Sequence, residues 1–259
     1  MPVPAGEGKG PFVISTCLRH LEGVPIIIHT LSTDDGKFRS TPCGLRSNEP
    51  PFPASKAWRR CRGFDMGKGS FEEAYSSLPP WDIGRPQGEI IRLAEEGEIR
   101  GSVLDAGCGT GENALFLAGR GYEVTGIDAV GTAIRRAKEK SRRRRVPAVF
   151  LQWDALEISR LGKRFDTIID CGLFHVFSDE ERPMYLEGLR SVLAPGGIFR
   201  MLCFSEMEPG EWGPRRVTQQ EIREAFSMGW RVASIREARF ETNLGPEGCR
   251  AWLSSITRE

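Results

Sequence analysis

The stretch Val103-Leu104-Asp105-Ala106-Gly107-Cys108-Gly109-Thr110-Gly111 constrains the fold more than any other part of the chain. It opens with the apolar composition of a buried strand. Three glycines then alternate with small residues ahead of a helix-forming run from Glu112. Glycine permits the sharp turn and close ligand approach that a strand-to-helix loop in a parallel sheet needs. The next apolar run, Val124-Thr125-Gly126-Ile127, ends on Asp128. An acid there can accept hydrogen bonds from both hydroxyls of a ribose. Spacing then separates two ligand classes. The dinucleotide fingerprint G-x-G-x-x-G has its third glycine three residues past the second, and here that position is Glu112. An acid at a helix start opposes a pyrophosphate. The order acid-x-G-x-G-x-G, led by Asp105 and followed by Glu112, suits a cationic ligand without phosphate.

Beyond residue 101 strands and helices alternate. The pattern predicts strands at 102–106, 123–128, 148–153, 165–170 and 197–204, and helices at 112–119, 131–144, 179–193 and 218–226. Two β-rich stretches, 230–240 and 248–257, close the chain. Such alternation implies a parallel sheet covered on both faces. The expected fold is α/β, a Rossmann-like three-layer sandwich with a mostly parallel seven-stranded sheet and an antiparallel edge hairpin. Upstream, 71–76 reads as a short helix and 78–82 as a turn. Pro86 suits the first turn of a helix running to about residue 96. Before residue 65, Pro, Gly, Ser and Thr recur without periodicity, and Pro42, Pro50, Pro51 and Pro53 oppose helix or central strand. Residues 1–65 are therefore expected to form a poorly ordered extension, with one short strand at 24–31, ahead of a domain at 66–259.

A net charge of +1 over 259 residues gives no global pull toward nucleic acid or an anionic membrane. No apolar run approaches the roughly 18 residues of a spanning helix. The start of the chain lacks a secretory pattern. The seven cysteines form no CxxC pair, so neither a disulfide framework nor a zinc site is read. Reduced thiols, a cytoplasmic location and metal independence are expected. The run Arg142–Arg145 reads as a solvated helix end that complements the dipole.

Three further motifs follow. Trp153-Asp154-Ala155 ends the third strand of the series, Asp170-Cys171-Gly172-Leu173-Phe174-His175 ends the fourth, and Leu193-Ala194-Pro195-Gly196-Gly197 leads into the fifth. In order and spacing, residues 101–204 resemble the class I S-adenosylmethionine (SAM)-dependent methyltransferases. Leu78-Pro79-Pro80-Trp81-Asp82-Ile83-Gly84-Arg85-Pro86-Gln87 looks like the leading segment of small-molecule methyltransferases related to thiopurine, thiol and halide methyltransferases. In that group a Trp near this point folds over SAM. Segments 172–177 and 212–216 are similar to a bacterial branch of small-molecule methyltransferases. The resemblance covers about residues 70 to 257.

The resemblance implies SAM as cofactor and S-adenosylhomocysteine (SAH) as product. It implies cofactor contacts from Trp81, Arg85, Asp105, Gly107, Gly109, Gly111, Asp128, Ala129, Asp154, Ala155 and Cys171. Acceptor contacts are expected from Phe174, His175, Phe177, Trp212 and Arg215, with His175 as the candidate base. Cys108 reads as a packing residue, because direct displacement needs no covalent intermediate. The chain after the fifth strand is short and carries no basic module. A small apolar or aromatic acceptor is thus expected, methylated on sulfur, oxygen, nitrogen or a halide or chalcogen by direct in-line displacement, with no nucleic acid, no membrane and a monomer or weak dimer. Two other classes share some of these motifs: an NAD(P)-dependent reductase, which the glycine spacing disfavours, and a non-catalytic SAM-binding regulatory protein.

Overall fold

The computed structural model describes residues 15–21, 24–30, 68–210 and 213–259. In the first of two units, residues 1–53, Ser15–Leu21 (β1) and Val24–Thr30 (β2) pair as an antiparallel two-stranded sheet. The single strand expected at 24–31 therefore has a partner. β1 escaped the sequence reading because Ser15-Thr16-Cys17-Leu18-Arg19-His20-Leu21 mixes polar and apolar residues without alternation. The rest of residues 1–65 lies outside the described residues.

The second unit, from residue 54 on, holds the remaining elements. Two helices lead in, Lys68–Ala74 (α1) and Gly88–Glu95 (α2). Then come Ser102–Ala106 (β3), Glu112–Gly119 (α3), Glu123–Asp128 (β4), Gly131–Arg144 (α4) and Val149–Gln152 (β5). A 3-10 helix at Ala155–Leu161 connects to Phe165–Cys171 (β6), and a second at Phe174–Val176 precedes Glu181–Val192 (α5). Leu193–Phe204 (β7), Gln219–Ala225 (α6), Trp230–Thr242 (β8) and Gly245–Arg258 (β9) complete the unit.

The seven-stranded sheet has the order β5-β4-β3-β6-β7-β9-β8. β3 to β7 are parallel, and β9 pairs antiparallel with both β7 and β8. The Rossmann-like sandwich with an antiparallel edge hairpin is thus the observed fold. Strand alternation sends neighbouring residues to opposite faces. Leu104, Ile127, Ile168 and Phe199 enter one apolar core, while Val103, Val124, Ile169 and Leu202 enter the other. Most boundaries lie within a few residues of expectation, and the largest shift is at the start of β7. β7 starts at Leu193, which pairs with Phe165, and the Pro195-Gly196-Gly197 turn sits in a register shift before Ile198 meets Thr167. α5 accordingly ends one residue earlier than predicted, at Val192.

The chain enters the sheet at β3, builds outward to β5, then returns to β6 on the other side of β3. Ligands of open α/β sheets collect at such a switch point, beyond the carboxyl ends of the strands.

Candidate active site

A cleft of about 300 Å³ opens at the carboxyl ends of β3 to β7. Its floor begins with the glycine loop. Gly107, Gly109 and Gly111 all have positive φ, at 72°, 54° and 84°. Two of them also lack room for a side chain. A Cβ on Gly109 would stand 2.8 Å from the Tyr75 hydroxyl, and one on Gly111 would stand 2.8 Å from Phe150 and 2.9 Å from the Ala137 methyl.

Asp128 closes β4 beside this loop. One oxygen accepts the Gly109 N–H at 2.9 Å and the other the Val130 N–H at 2.8 Å. Burial pushes its pKa up, while these two amides favour the carboxylate. Each oxygen keeps a second lone pair for a ribose hydroxyl. Ala129, Asp154, Ala155 and Cys171 line the same cleft. Asp154 caps the 3-10 helix by accepting the Leu156 N–H at 3.1 Å. Burial drives the Cys171 thiol well above its usual range, so it stays protonated.

Asp105 lies beneath the floor rather than along the cleft wall. It is 1% exposed, and only the Ala114 amide comes near its carboxylate, outside good hydrogen-bonding geometry. Burial raises its pKa to about 7; the Ala114 amide opposes that rise, while the negative charges of Asp128 and Asp170 add to it. A buried acid with no partner is costly, and a cation in the cleft would relieve it. The glycine cradle, Asp128 and this orphaned acid therefore fit a cationic adenosyl ligand. A nearby cation favours the ionised carboxylate. Binding of SAH, whose amino group is cationic, should then release protons near pH 7 and weaken as pH falls below it. Calorimetry in two buffers of different ionisation enthalpy reads the release, and identical heats in both would refute it.

Glu112 lines the cleft, and its charge is balanced by Arg144, which holds it bidentately at 2.7 and 2.8 Å, and by Lys140 at 2.8 Å. Burial works against the charge, but these hydrogen bonds outweigh it and leave its pKa lowered.

Trp81 and Arg85 belong to a strap across the cleft. The Trp81 indole N–H donates to the Tyr75 hydroxyl at 3.0 Å, with the Phe71 and Tyr75 rings edge-on at 6.0 and 6.1 Å. Tyr75 carries no sequence signal, because it follows a short helix with no clear periodic pattern. Arg85 lines the cleft, yet its guanidinium grips Glu241 bidentately at 2.8 and 3.0 Å.

Another stretch of the cleft wall is aromatic. Phe177, Phe204 and Phe240 line it, with Pro214, Thr242 and the carboxylate-bearing Glu181. Phe174 does not join them. It is fully buried in the core, against Phe226 at 5.9 Å and beneath the Arg182 guanidinium at 4.5 Å. Arg215 is turned elsewhere as well, ion-paired to Asp179 and Glu221. Trp212 lies outside the described residues. Phe240 and Thr242 come from β8, with no local motif to mark them.

His175 lines the cleft but has little capacity as a base. Its Nδ1 accepts the Phe204 N–H at 3.0 Å, and its other nitrogen faces the Gly172 carbonyl. Burial, then the charges of Arg216 and Arg182, lower its pKa to about 3. The imidazole is therefore neutral, with its lone pair already engaged. Asp170 is equally committed. It accepts the Leu173 and Phe174 amides at 2.8 and 3.3 Å and the Tyr185 hydroxyl at 2.8 Å, and burial raises its pKa to about 6.

Comparison with known proteins agrees with this geometry. A methyltransferase domain profile matches residues 103–197. Over 181 residues the chain is 40% identical to a 2-heptyl-1-hydroxyquinolin-4(1H)-one methyltransferase of Mycobacteroides abscessus, covering 68% of this chain and 79% of that one. The chain belongs to the class I SAM-dependent methyltransferases. It is an enzyme of that family, with SAM as methyl donor. A probable thiol methyltransferase of Arabidopsis thaliana is 28% identical over 207 residues, 74% of this chain and 88% of the relative. A solved structure concerned with conversion of a disulfide bond into a thioacetal group in echinomycin biosynthesis superposes with a TM-score of 0.68 at 34% identity, covering 74% of this chain and 93% of that one. Among the described residues, no helix is long and apolar enough to cross a membrane.

Proposed function

We propose that this methyltransferase moves the SAM methyl group to an oxygen, sulfur or nitrogen of a small aromatic acceptor. The observation that carries the reading is the acceptor side of the cleft, walled by Phe177, Phe204 and Phe240. Apolar pockets with few polar groups favour flat apolar ligands. The relative that acts on a 2-heptyl-1-hydroxyquinolin-4(1H)-one supports the same class. When bound, SAM supplies an activated methyl on a positively charged sulfur. The acceptor heteroatom forms a bond to that carbon as the carbon–sulfur bond breaks, and the electron pair leaves on sulfur as neutral SAH. The protein holds the two reactants in line and excludes water. His175 does not take the acceptor's proton in this scheme. An acidic acceptor loses it to solvent and arrives as the anion.

An SAH-release assay tests the proposal. The panel holds a 2-alkyl-1-hydroxyquinolin-4-one, an aromatic thiol, a phenol, free amino acids, a protein mixture and tRNA. Turnover is expected with the aromatic hydroxyl and thiol compounds. Methylation of protein or tRNA alone, with nothing from the small molecules, would overturn the reading.

A further inference from the structure

The end of β8 and the turn that follows it carry two sets of contacts on alternating residues. Phe240 and Thr242 face the cleft. Glu241 and Asn243, the residues between and after them, grip the strap at 79–88 instead. Alternation of this kind follows from the pleat of a strand. The Glu241 carboxylate accepts both arms of Arg85, at 2.8 and 3.0 Å, and the Gly88 N–H at 2.8 Å. The Glu241 backbone is matched to the Gln87 side chain, whose amide donates to the Glu241 carbonyl at 2.9 Å and whose oxygen accepts the Glu241 N–H at 2.8 Å. The Asn243 N–H donates to the Pro80 carbonyl at 2.8 Å, and its side chain to the Asp82 carbonyl, also at 2.8 Å. The strap's inner side is tied to the glycine loop, where the Thr110 hydroxyl donates to Asp82 at 2.9 Å.

We propose that Glu241 is a positioning residue for cofactor capture: it pins the strap bearing Trp81 over the cofactor half of the cleft, through Arg85, Gly88 and Gln87. Arg85 then serves the cofactor indirectly, as the other half of the pin. The same end of β8 presents Phe240 and Thr242 to the acceptor, so one element shapes both halves of the site. This goes beyond the proposed acceptor class and does not depend on it, because its readout is cofactor binding.

A double-mutant cycle separates a pin from a direct contact. Arg85→Ala, Glu241→Ala and the double variant are titrated with SAH by calorimetry. Each single change should weaken SAH about five-fold, at the upper end of what an exposed ion pair contributes. The double variant should lose no more than about ten-fold, because both changes break one pair. Hydrogen exchange across residues 79–88 of the SAH-bound protein should rise in all three. With one of the expected aromatic acceptors, the KM for SAM should rise while kcat at saturating SAM stays within two-fold. Losses that multiply to about 25-fold would show that Arg85 touches the cofactor itself, and would overturn the proposal. So would unchanged SAH affinity in both single variants. Should Glu241→Ala fail to fold, Arg85→Ala, at an exposed side chain, still decides through its affinity and strap exchange.

Discussion

Asp128→Ala is expected to cut SAH affinity by roughly 10- to 150-fold, the equivalent of about 1.5–3 kcal/mol for a charged hydrogen-bonding group. Two losses add in one direction. The ribose hydroxyls lose their carboxylate acceptor. The Gly109 and Val130 amides also lose the oxygens that hold the glycine loop against β4. Those amides lie beside the cleft and can turn to water, so the fold itself should survive. Asp128→Asn keeps one acceptor oxygen and should fall between the two. Calorimetry on a variant with an unchanged melting temperature checks this, and wild-type affinity in Asp128→Ala would remove Asp128 from the cofactor site.

The parts of the site carried by contiguous motifs were legible in the chain. The loop Gly107 to Gly111 and Asp128 could be read because a strand end, a turn and an acid follow one another within one βα unit. Spacing, together with the acids at Asp105 and Glu112, separated them from a dinucleotide site. What was not legible joins residues far apart in sequence. Arg85 carries a charge that reads as available for a ligand until Glu241, 156 residues later, is seen to take it. Tyr75 becomes part of the site only because α1 packs where Gly109 has no side chain. Phe240 and Thr242 look like any other pair in an edge strand.

Phe174 and Phe177 show a subtler limit. Both are aromatic, both follow β6, and only two residues lie between them. Phe174 opens a 3-10 turn and points into the core, whereas Phe177 is its C-cap with extended backbone at φ −72° and ψ 141°. That change of backbone carries Phe177 to the cleft wall. No composition rule distinguishes the two. Arg215 failed for a similar reason, since Asp179 and Glu221 reach it from the start of α5 and from α6.

The second large effect concerns His175. In the folded protein its pKa is lowered to about 3 from an ordinary 6.5. A depressed histidine binds fewer protons folded than unfolded between those values. Its contribution to stability is therefore full above pH 6.5 and is lost as pH falls toward 3. Asp105 and Asp170, raised to about 7 and about 6, act with the opposite sign, because burial penalises their charged forms as pH rises. The three partly cancel in the wild-type curve, so a difference between two proteins is needed to isolate the histidine. His175→Phe keeps an aromatic ring but leaves the Phe204 N–H without its acceptor. At pH 7 it should be less stable than wild type by about 1–3 kcal/mol, the cost of an unsatisfied buried donor. At pH 4 the wild type carries a penalty of roughly 3 kcal/mol from the suppressed protonation, at 1.36 kcal/mol per unit. The variant is spared that penalty, so the gap should close or reverse. Denaturant melts of both proteins at pH 7 and pH 4 give the comparison. The same chemistry predicts the activity profile: at saturating SAM, kcat/KM for the acceptor should show no limb near pH 6.5 belonging to His175, only one that moves with the pKa of the acceptor used. An equal stability gap at both pH values, or a limb at 6.5 that disappears in His175→Phe, would restore His175 as a titrating base.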